Sequence, residues 1–244
     1  PELMRASAAF ARERGLTLHT HVAETHDEEA YCLRAFGMRP VDLMRQLDWV
    51  GPDVWWAHCV TLNRDEISIM AQTGTGVAQF PSSNMRLGSG IAPIRDLVDA
   101  GARVGLAVDG SASNDCGHML GEARQAMLLQ RVQHGATALS AEEALWLGTR
   151  GGASVLGRDD IGCLAPGMAA DFIAIDLERL AFAGAQADPL AALLFCTPPN
   201  VDLSVINGRV VVREGKLLGL DLLATIAEHN RLALDLLASA RTRA

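Results

Sequence analysis

Four residues in the first half of the chain have the side chains that a catalytic metal centre requires: His21, Glu24, His58 and Asp109. Imidazole nitrogens and carboxylate oxygens are common ligands of zinc, and a carboxylate beside a bound cation can also move protons. Each residue alone is a weak signal, because loop histidines, solvated glutamates and turn-forming aspartates are common. Their order on successive strand ends is specific, and together they indicate metal-assisted chemistry at one site.

A second histidine, His19, lies two residues before His21, so both side chains point to the same face of a strand. One interpretation is that both histidines bind one ion. The other is that His19 lies one layer deeper and forms a hydrogen bond in the interior. The layered interior of a strand–helix barrel favours the second interpretation.

Alternating strand and helix patterns explain how the four residues could meet. Four segments have the apolar runs of buried strands and are followed by helical patterns: residues 16–22, 54–60, 76–80 and 103–109. Asn63, with Glu66 three residues later, predicts that one helix begins with a capping box. The pattern favours a parallel sheet covered by helices, and chemistry is expected at the carboxyl ends of its strands.

The number of these units is half of what a closed barrel needs. A (β/α)8 barrel has eight units and typically about 250 residues. Half a barrel would expose long parallel edges, which stable proteins avoid. Two interpretations remain: a complete open α/β sheet, or the C-terminal half of a TIM-like (β/α)8 barrel whose first half is not in this chain. We favour the second.

The composition changes after this repeating region, and we expect three parts. Residues 1–158 form the second half of the barrel, with its strands five to eight. Residues 159–219 form part of a small β-sandwich domain, in which Asn207-Gly208 between two alternating apolar runs predicts a hairpin. Residues 220–244 form a C-terminal helix.

Composition excludes several classes of protein. The formal charge is −8 and no basic cluster occurs, so a nucleic-acid-binding surface is not expected. The five cysteines form no C-x-x-C motif, which favours a reducing, cytoplasmic environment over a disulfide framework. No apolar run reaches the ~18–20 residues that span a bilayer, so no membrane association is expected.

The candidate residues and their surroundings resemble the amidohydrolase superfamily over nearly the whole chain. Five segments carry the resemblance: residues 21–25, 57–58, 81–90, 108–110 and 167–172. Within the superfamily they are most similar to the cytosine/guanine deaminase and chlorohydrolase group. Residues 83–87 and 108–115 resemble 8-oxoguanine deaminases and the related hydroxytriazine aminohydrolases.

This resemblance implies one divalent metal, zinc or alternatively iron, and a role for each candidate residue. His21 on strand five and Asp109 on strand eight would be metal ligands. His58 on strand six would lie beside the attacking water and polarise the intermediate, and Asp109 would also accept a proton. Glu24 would carry a proton to the substrate ring. The substrate-facing residues would be Asn84 and Ser83.

The implied reaction is hydrolytic deamination of an aminated heterocycle, 8-oxoguanine or a related purine, by hydroxide formed at the metal. Two alternatives stay open: a triazine chlorohydrolase or aminohydrolase, and a non-catalytic α/β binding fragment. The family's strand-one H-x-H, which supplies two metal ligands, has no counterpart upstream of His21. We therefore expect this chain alone to bind metal poorly and to be inactive, and the complete protein to be a homo-oligomer.

Overall fold

The computed structural model describes residues 1–196 and 200–241, which form two compact units. The first comprises Pro1–Met168 with Leu177–Pro199, and the second comprises Ala169–Asp176 with Asn200–Ala244. The described residues 177–196 group with the first unit. The helix formed by Pro189–Phe195 explains this grouping, because it buries Ala192 and Leu194 and packs on two helices of the first unit. The domain boundaries at residues 158 and 219 stay a prediction.

The first unit alternates strands with helices along most of its length. Its elements are α1 (Glu2–Glu13), β1 (Leu18–Val22), α2 (His26–Phe36), α3 (Pro40–Gln46), β2 (Val54–His58), α4 (Arg64–Thr73), β3 (Gly76–Gln79), α5 (Pro81–Leu87), α6 (Ile94–Asp99), β4 (Arg103–Leu106), α7 (Met119–His134), α8 (Ala141–Trp146), a π-helical turn (Leu147–Gly151), α9 (Gly152–Val155), a 3-10 turn (Leu180–Phe182) and α10 (Pro189–Phe195).

The four strands of the first unit form one parallel sheet in the order β1-β2-β3-β4. This confirms the parallel sheet that the sequence predicted. His21 lies opposite Ala57 in the β1–β2 ladder, and Val22 lies opposite His58. All four strands therefore end at the same edge of the sheet, and the segments that follow them share that edge.

An apolar core lies between the sheet and its helices. Met70, Leu97 and Met127 are fully buried there. Burying an apolar side chain of this size contributes about 1.5–3 kcal/mol. Val22 also belongs to this core, and successive strand residues point to opposite faces, so His21 points away from it. The core thus fixes which face of β1 carries the histidines.

Helix ends follow the local sequence. Asn63 and Glu66 form the predicted capping box at the start of α4. Thr25 caps α2, and the acidic residues of its first turn stabilise the helix N-terminus. In α5, Pro81 occupies the first turn, where a proline costs no hydrogen bond.

The second unit is an antiparallel sheet of four strands followed by a helix. Its elements are β5 (Phe172–Ala174), β6 (Leu203–Ile206), β7 (Arg209–Arg213), β8 (Lys216–Leu217) and α11 (Leu222–Arg241). Asn207 and Gly208 both have positive φ, 46° and 74°, which a tight hairpin turn between β6 and β7 requires. The predicted hairpin and C-terminal helix are confirmed. Among the described residues, no helix is both long enough and apolar enough to cross a bilayer.

Strand β4 approaches the backbone of α9 closely at Gly105. A Cβ atom on Gly105 would lie 2.8 Å from Gly152 Cα and 3.0 Å from Gly152 N. These are backbone atoms, so relieving the clash requires the strand and the helix to separate. Gly105 therefore permits this packing.

We expect Gly105→Ala to lower the free energy of unfolding by about 1–3 kcal/mol, because overpacking forces backbone shifts. Gly148→Ala is the control, since its Cβ would meet only Met119 Cε, at 3.8 Å. That variant should change the free energy of unfolding by less than about 1 kcal/mol. Urea unfolding followed by circular dichroism measures both, and equal losses in the two variants would contradict the packing argument.

Candidate metal centre

Two histidines and one aspartate meet at the carboxyl edge of the parallel sheet. One ligand atom from each of His21, His58 and Asp109 lies within 4.8 Å of the others, and the two imidazole ring centroids are 5.1 Å apart. The histidines lie in β1 and β2, and Asp109 follows β4. Two imidazole nitrogens and a carboxylate oxygen are a suitable donor set for zinc and similar divalent cations.

Left-handed backbone turns aim two of these side chains. His58, Cys59 and Asp109 have φ values of 70°, 49° and 66°, a region that residues other than glycine rarely adopt. In the ladder His58 pairs with Val22, which points into the core, so regular alternation would bury the imidazole on the wrong face. The positive φ ends the alternation and brings His58 beside His21. Such strain costs about 1–3 kcal/mol per residue and is concentrated at functional sites.

A buried amide fixes the orientation of His58. Its Nδ1 lies 2.8 Å from Asn84 Oδ1, and both side chains are almost fully buried. Because an amide oxygen only accepts, Nδ1 carries the proton in this hydrogen bond and Nε2 presents its lone pair to the cluster. Nε2 also lies 3.8 Å from Glu24 Oε2. The strand-end histidine and the H-x-x-E carboxylate therefore face the same space.

Two hydroxyl groups hold the Asp109 carboxylate. Ser83 Oγ donates to Asp109 Oδ2 at 2.5 Å, and Ser113 Oγ donates to the same oxygen at 2.7 Å. Burial by itself would raise the pKa of Asp109, but these hydrogen bonds, that of the Gly110 N–H and the nearby His58 outweigh it, so the pKa is lowered. The carboxylate is therefore ionised at neutral pH, the form that binds a cation.

Glu28 is a site residue that the sequence analysis missed. Its carboxylate accepts hydrogen bonds from the backbone N–H groups of Ala23 and Glu24, at 2.8 and 2.7 Å. Thr25 caps the same helix by accepting from the Glu28 N–H. Thr25-x-x-Glu28 has the spacing of a capping box, so the sequence did contain a signal that this loop is held rigidly. Glu28 thereby fixes the backbone that presents Glu24.

The remaining predicted residues lie close to the cluster. His19 stacks on Trp55 with the ring centroids 3.5 Å apart, and burial lowers its pKa. Within the described residues it does not join the three-residue cluster. Ser83 and Asn84 are buried, and their hydrogen bonds go to Asp109 and His58. That they contact the substrate stays a prediction.

Comparison with known proteins shows which family this chain resembles. The sequence model of the amidohydrolase family matches residues 1–211. The chain is 50% identical to 8-oxoguanine deaminase of Pseudomonas aeruginosa, over 98% of this chain and 53% of that protein. It is 42% identical to hydroxydechloroatrazine ethylaminohydrolase of Pseudomonas sp. strain ADP, over 91% of this chain and 46% of that protein. The chain thus spans about half the length of the curated relatives it matches.

Solved structures give the same result. Atrazine chlorohydrolase from Arthrobacter aurescens TC1, complexed with zinc, has a TM-score of 0.89 at 36% identity, over 95% of this chain and 52% of that chain. An adenosine deaminase from Xanthomonas campestris with bound zinc has a TM-score of 0.90 at 30% identity, over 93% and 52%. The predicted fold, a partial (β/α)8 barrel with a small β unit, is confirmed. The chain belongs to the amidohydrolase family.

Proposed function

We propose that the protein to which this chain belongs is a metal-dependent hydrolytic deaminase, which releases ammonia from an aminated heterocycle. The observation that carries the proposal is the convergence of His21, His58 and Asp109 within 4.8 Å, with Glu24 3.8 Å from His58 Nε2. As substrate we propose 8-oxoguanine or a related purine, supported by the 50% identity to an 8-oxoguanine deaminase.

The donor set fits a divalent cation, and zinc is the metal we propose. His21 and Asp109 would hold it as the resemblance implied, and a ring nitrogen of His58 lies close enough to be a third ligand. Two solved structures with the same fold contain zinc, which supports this choice over iron. When bound, the cation supplies Lewis acidity that lowers the pKa of water from 15.7 to about 7, so hydroxide is available at neutral pH.

The two carboxylates would divide the movement of protons. Asp109 is ionised, so one of its oxygens can accept the proton that the attacking water gives up. Glu24 faces His58 across 3.8 Å and can relay both protons of the water: the one held by Asp109 passes to the ring nitrogen, and the one on the added hydroxyl group passes to the leaving amine. In sum, one water adds to the ring carbon, the carbon–nitrogen bond breaks and ammonia leaves. Asn84 keeps the His58 ring in place during these steps.

A triazine chlorohydrolase is the second candidate, because an atrazine chlorohydrolase shares the fold with a TM-score of 0.89. Chloride leaves as an anion and needs no proton, whereas an amine leaves only after protonation. The two reactions therefore differ in their need for Glu24. A non-catalytic binding role is a third candidate, and it requires no metal at the cluster.

We expect the complete gene product to contain about one divalent metal per chain and to release ammonia from 8-oxoguanine with a higher kcat/KM than from isoxanthopterin or hydroxytriazines. Removing the metal with a chelator should abolish turnover, and added zinc should restore it. Metal analysis and an ammonia assay test this. Metal without ammonia from any substrate would indicate another leaving group. Protein without metal would refute the assignment of His21 and Asp109.

We expect Glu24→Gln to lower kcat for ammonia release by about 10²–10⁴-fold, the usual contribution of a general acid or base. The metal content should not change, because Glu24 is not a proposed ligand. Glu13→Gln, on the exposed face of α1, is the matched control and should behave as the wild type. Full turnover of a chlorotriazine by Glu24→Gln would favour the chlorohydrolase.

A further inference from the structure

Glu122, in the first turn of α7, is a buried carboxylate outside the metal cluster. It is 1% exposed. Its Oε2 accepts a hydrogen bond from the Ser82 N–H at 2.9 Å, and its Oε1 accepts one from Asn114 Nδ2 at 2.8 Å. Both donors are neutral amides, so these hydrogen bonds must offset the cost of burying the charge. A carboxylate kept at such a cost requires a reason beyond packing.

Both hydrogen bonds of Glu122 end beside Asp109. Ser82 is followed by Ser83, whose hydroxyl donates to the Asp109 carboxylate at 2.5 Å. Asn114 Nδ2 also donates to the carbonyl of Val108, the residue before Asp109, at 2.7 Å. One side chain on α7 is thus tied both to the start of α5, which carries the hydroxyl donor, and to the loop that carries the proposed ligand.

We propose that Glu122 is a positioning residue, which holds Asp109 and its hydrogen-bond donor Ser83 in the geometry that binds the cation. The inference rests on the proposed metal site. Asp109 has a left-handed backbone, φ 66°, and needs such support from its surroundings to persist. Groups that orient a ligand in this way commonly change metal affinity by about 10–100-fold when they are removed.

The isosteric variant Glu122→Gln tests whether two hydrogen-bond acceptors are needed at this position. Glutamine has one oxygen acceptor, so it can serve either the Ser82 N–H or Asn114 Nδ2 but not both. Its NH₂ group then faces the other donor, and the segment that carries this donor loses its hydrogen bond to residue 122. The size and shape of the side chain stay the same, so a cavity is not the cause of any effect.

Gln130, on the same helix, offers a matched control. It is fully buried, accepts from the Arg95 N–H at 2.9 Å and donates to the Ala92 carbonyl at 2.9 Å. Like Glu122, it fixes two groups outside its own helix through two hydrogen bonds. Ala92 lies between α5 and α6 and Arg95 lies in the first turn of α6, and neither segment carries any of the three cluster residues. Gln130→Met and Glu122→Met therefore remove the same number of hydrogen bonds at different places.

The experiment uses the complete gene product, stripped of metal and titrated with cobalt(II), whose visible absorption reports coordination geometry. We expect Glu122→Gln and Glu122→Met to weaken cobalt affinity by about 10–100-fold and to change the absorption spectrum. Gln130→Met should lower Tm to a similar extent as Glu122→Met, while its cobalt affinity and spectrum stay those of the wild type. If Glu122→Met does not fold, the comparison rests on Glu122→Gln.

Cobalt affinity and spectrum unchanged in Glu122→Gln would overturn the proposal, and so would an equal loss in Gln130→Met. If the wild type binds cobalt but releases no ammonia, the proposed deaminase activity is refuted. The cobalt affinities of the variants then still decide whether Glu122 positions Asp109. A wild type that binds no cobalt refutes both.

Discussion

The parallel pairing of β1 to β4 is the constraint on which the site depends. Parallel strands end at a common edge, so residues far apart in sequence, such as His21 and Asp109, meet only if every strand between them keeps its register. That register is fixed by the apolar side chains that point into the core, because a slip of one residue would turn the whole strand over. The register that packs the core is therefore the same register that assembles the candidate metal centre.

Strand pairing alone would not aim the candidate ligands, and strained backbone at His58 and Asp109 does so. The left-handed turns at His58 and Asp109 are unfavourable by about 1–3 kcal/mol each, and a flexible loop would relax out of them. Buried hydrogen bonds oppose this relaxation: Asn84 holds the His58 ring, and Glu122 accepts from the Ser82 N–H and from Asn114, which also binds the Val108 carbonyl. Polar groups buried around the cluster thus supply the rigidity that the strands cannot.

The sequence predicted structural elements that follow a hydrophobic period or a local rule for helix caps and turns. Apolar runs located the four strands of the parallel sheet, Asn63 with Glu66 located a helix start, and Asn207-Gly208 located the hairpin. It could not predict the contacts that depend on left-handed backbone or on tertiary proximity. Glu122 is only one acidic residue in a helix until the fold places it against Ser82 and Asn114.

The carboxylates of Asp109 and Glu24 have different surroundings, and this difference supports different roles for them in proton transfer. The Asp109 carboxylate accepts two hydroxyl hydrogen bonds that lower its pKa, which keeps it ionised at neutral pH, as a proposed cation ligand requires. The Glu24 residue is held through its backbone N–H by Glu28, and within the described residues no hydrogen bond reaches its carboxylate. A carboxylate on a fixed backbone, with His58 Nε2 3.8 Å away, can reach a substrate and exchange protons with it. Different environments of this kind allow two neighbouring carboxylates to take different roles in one reaction.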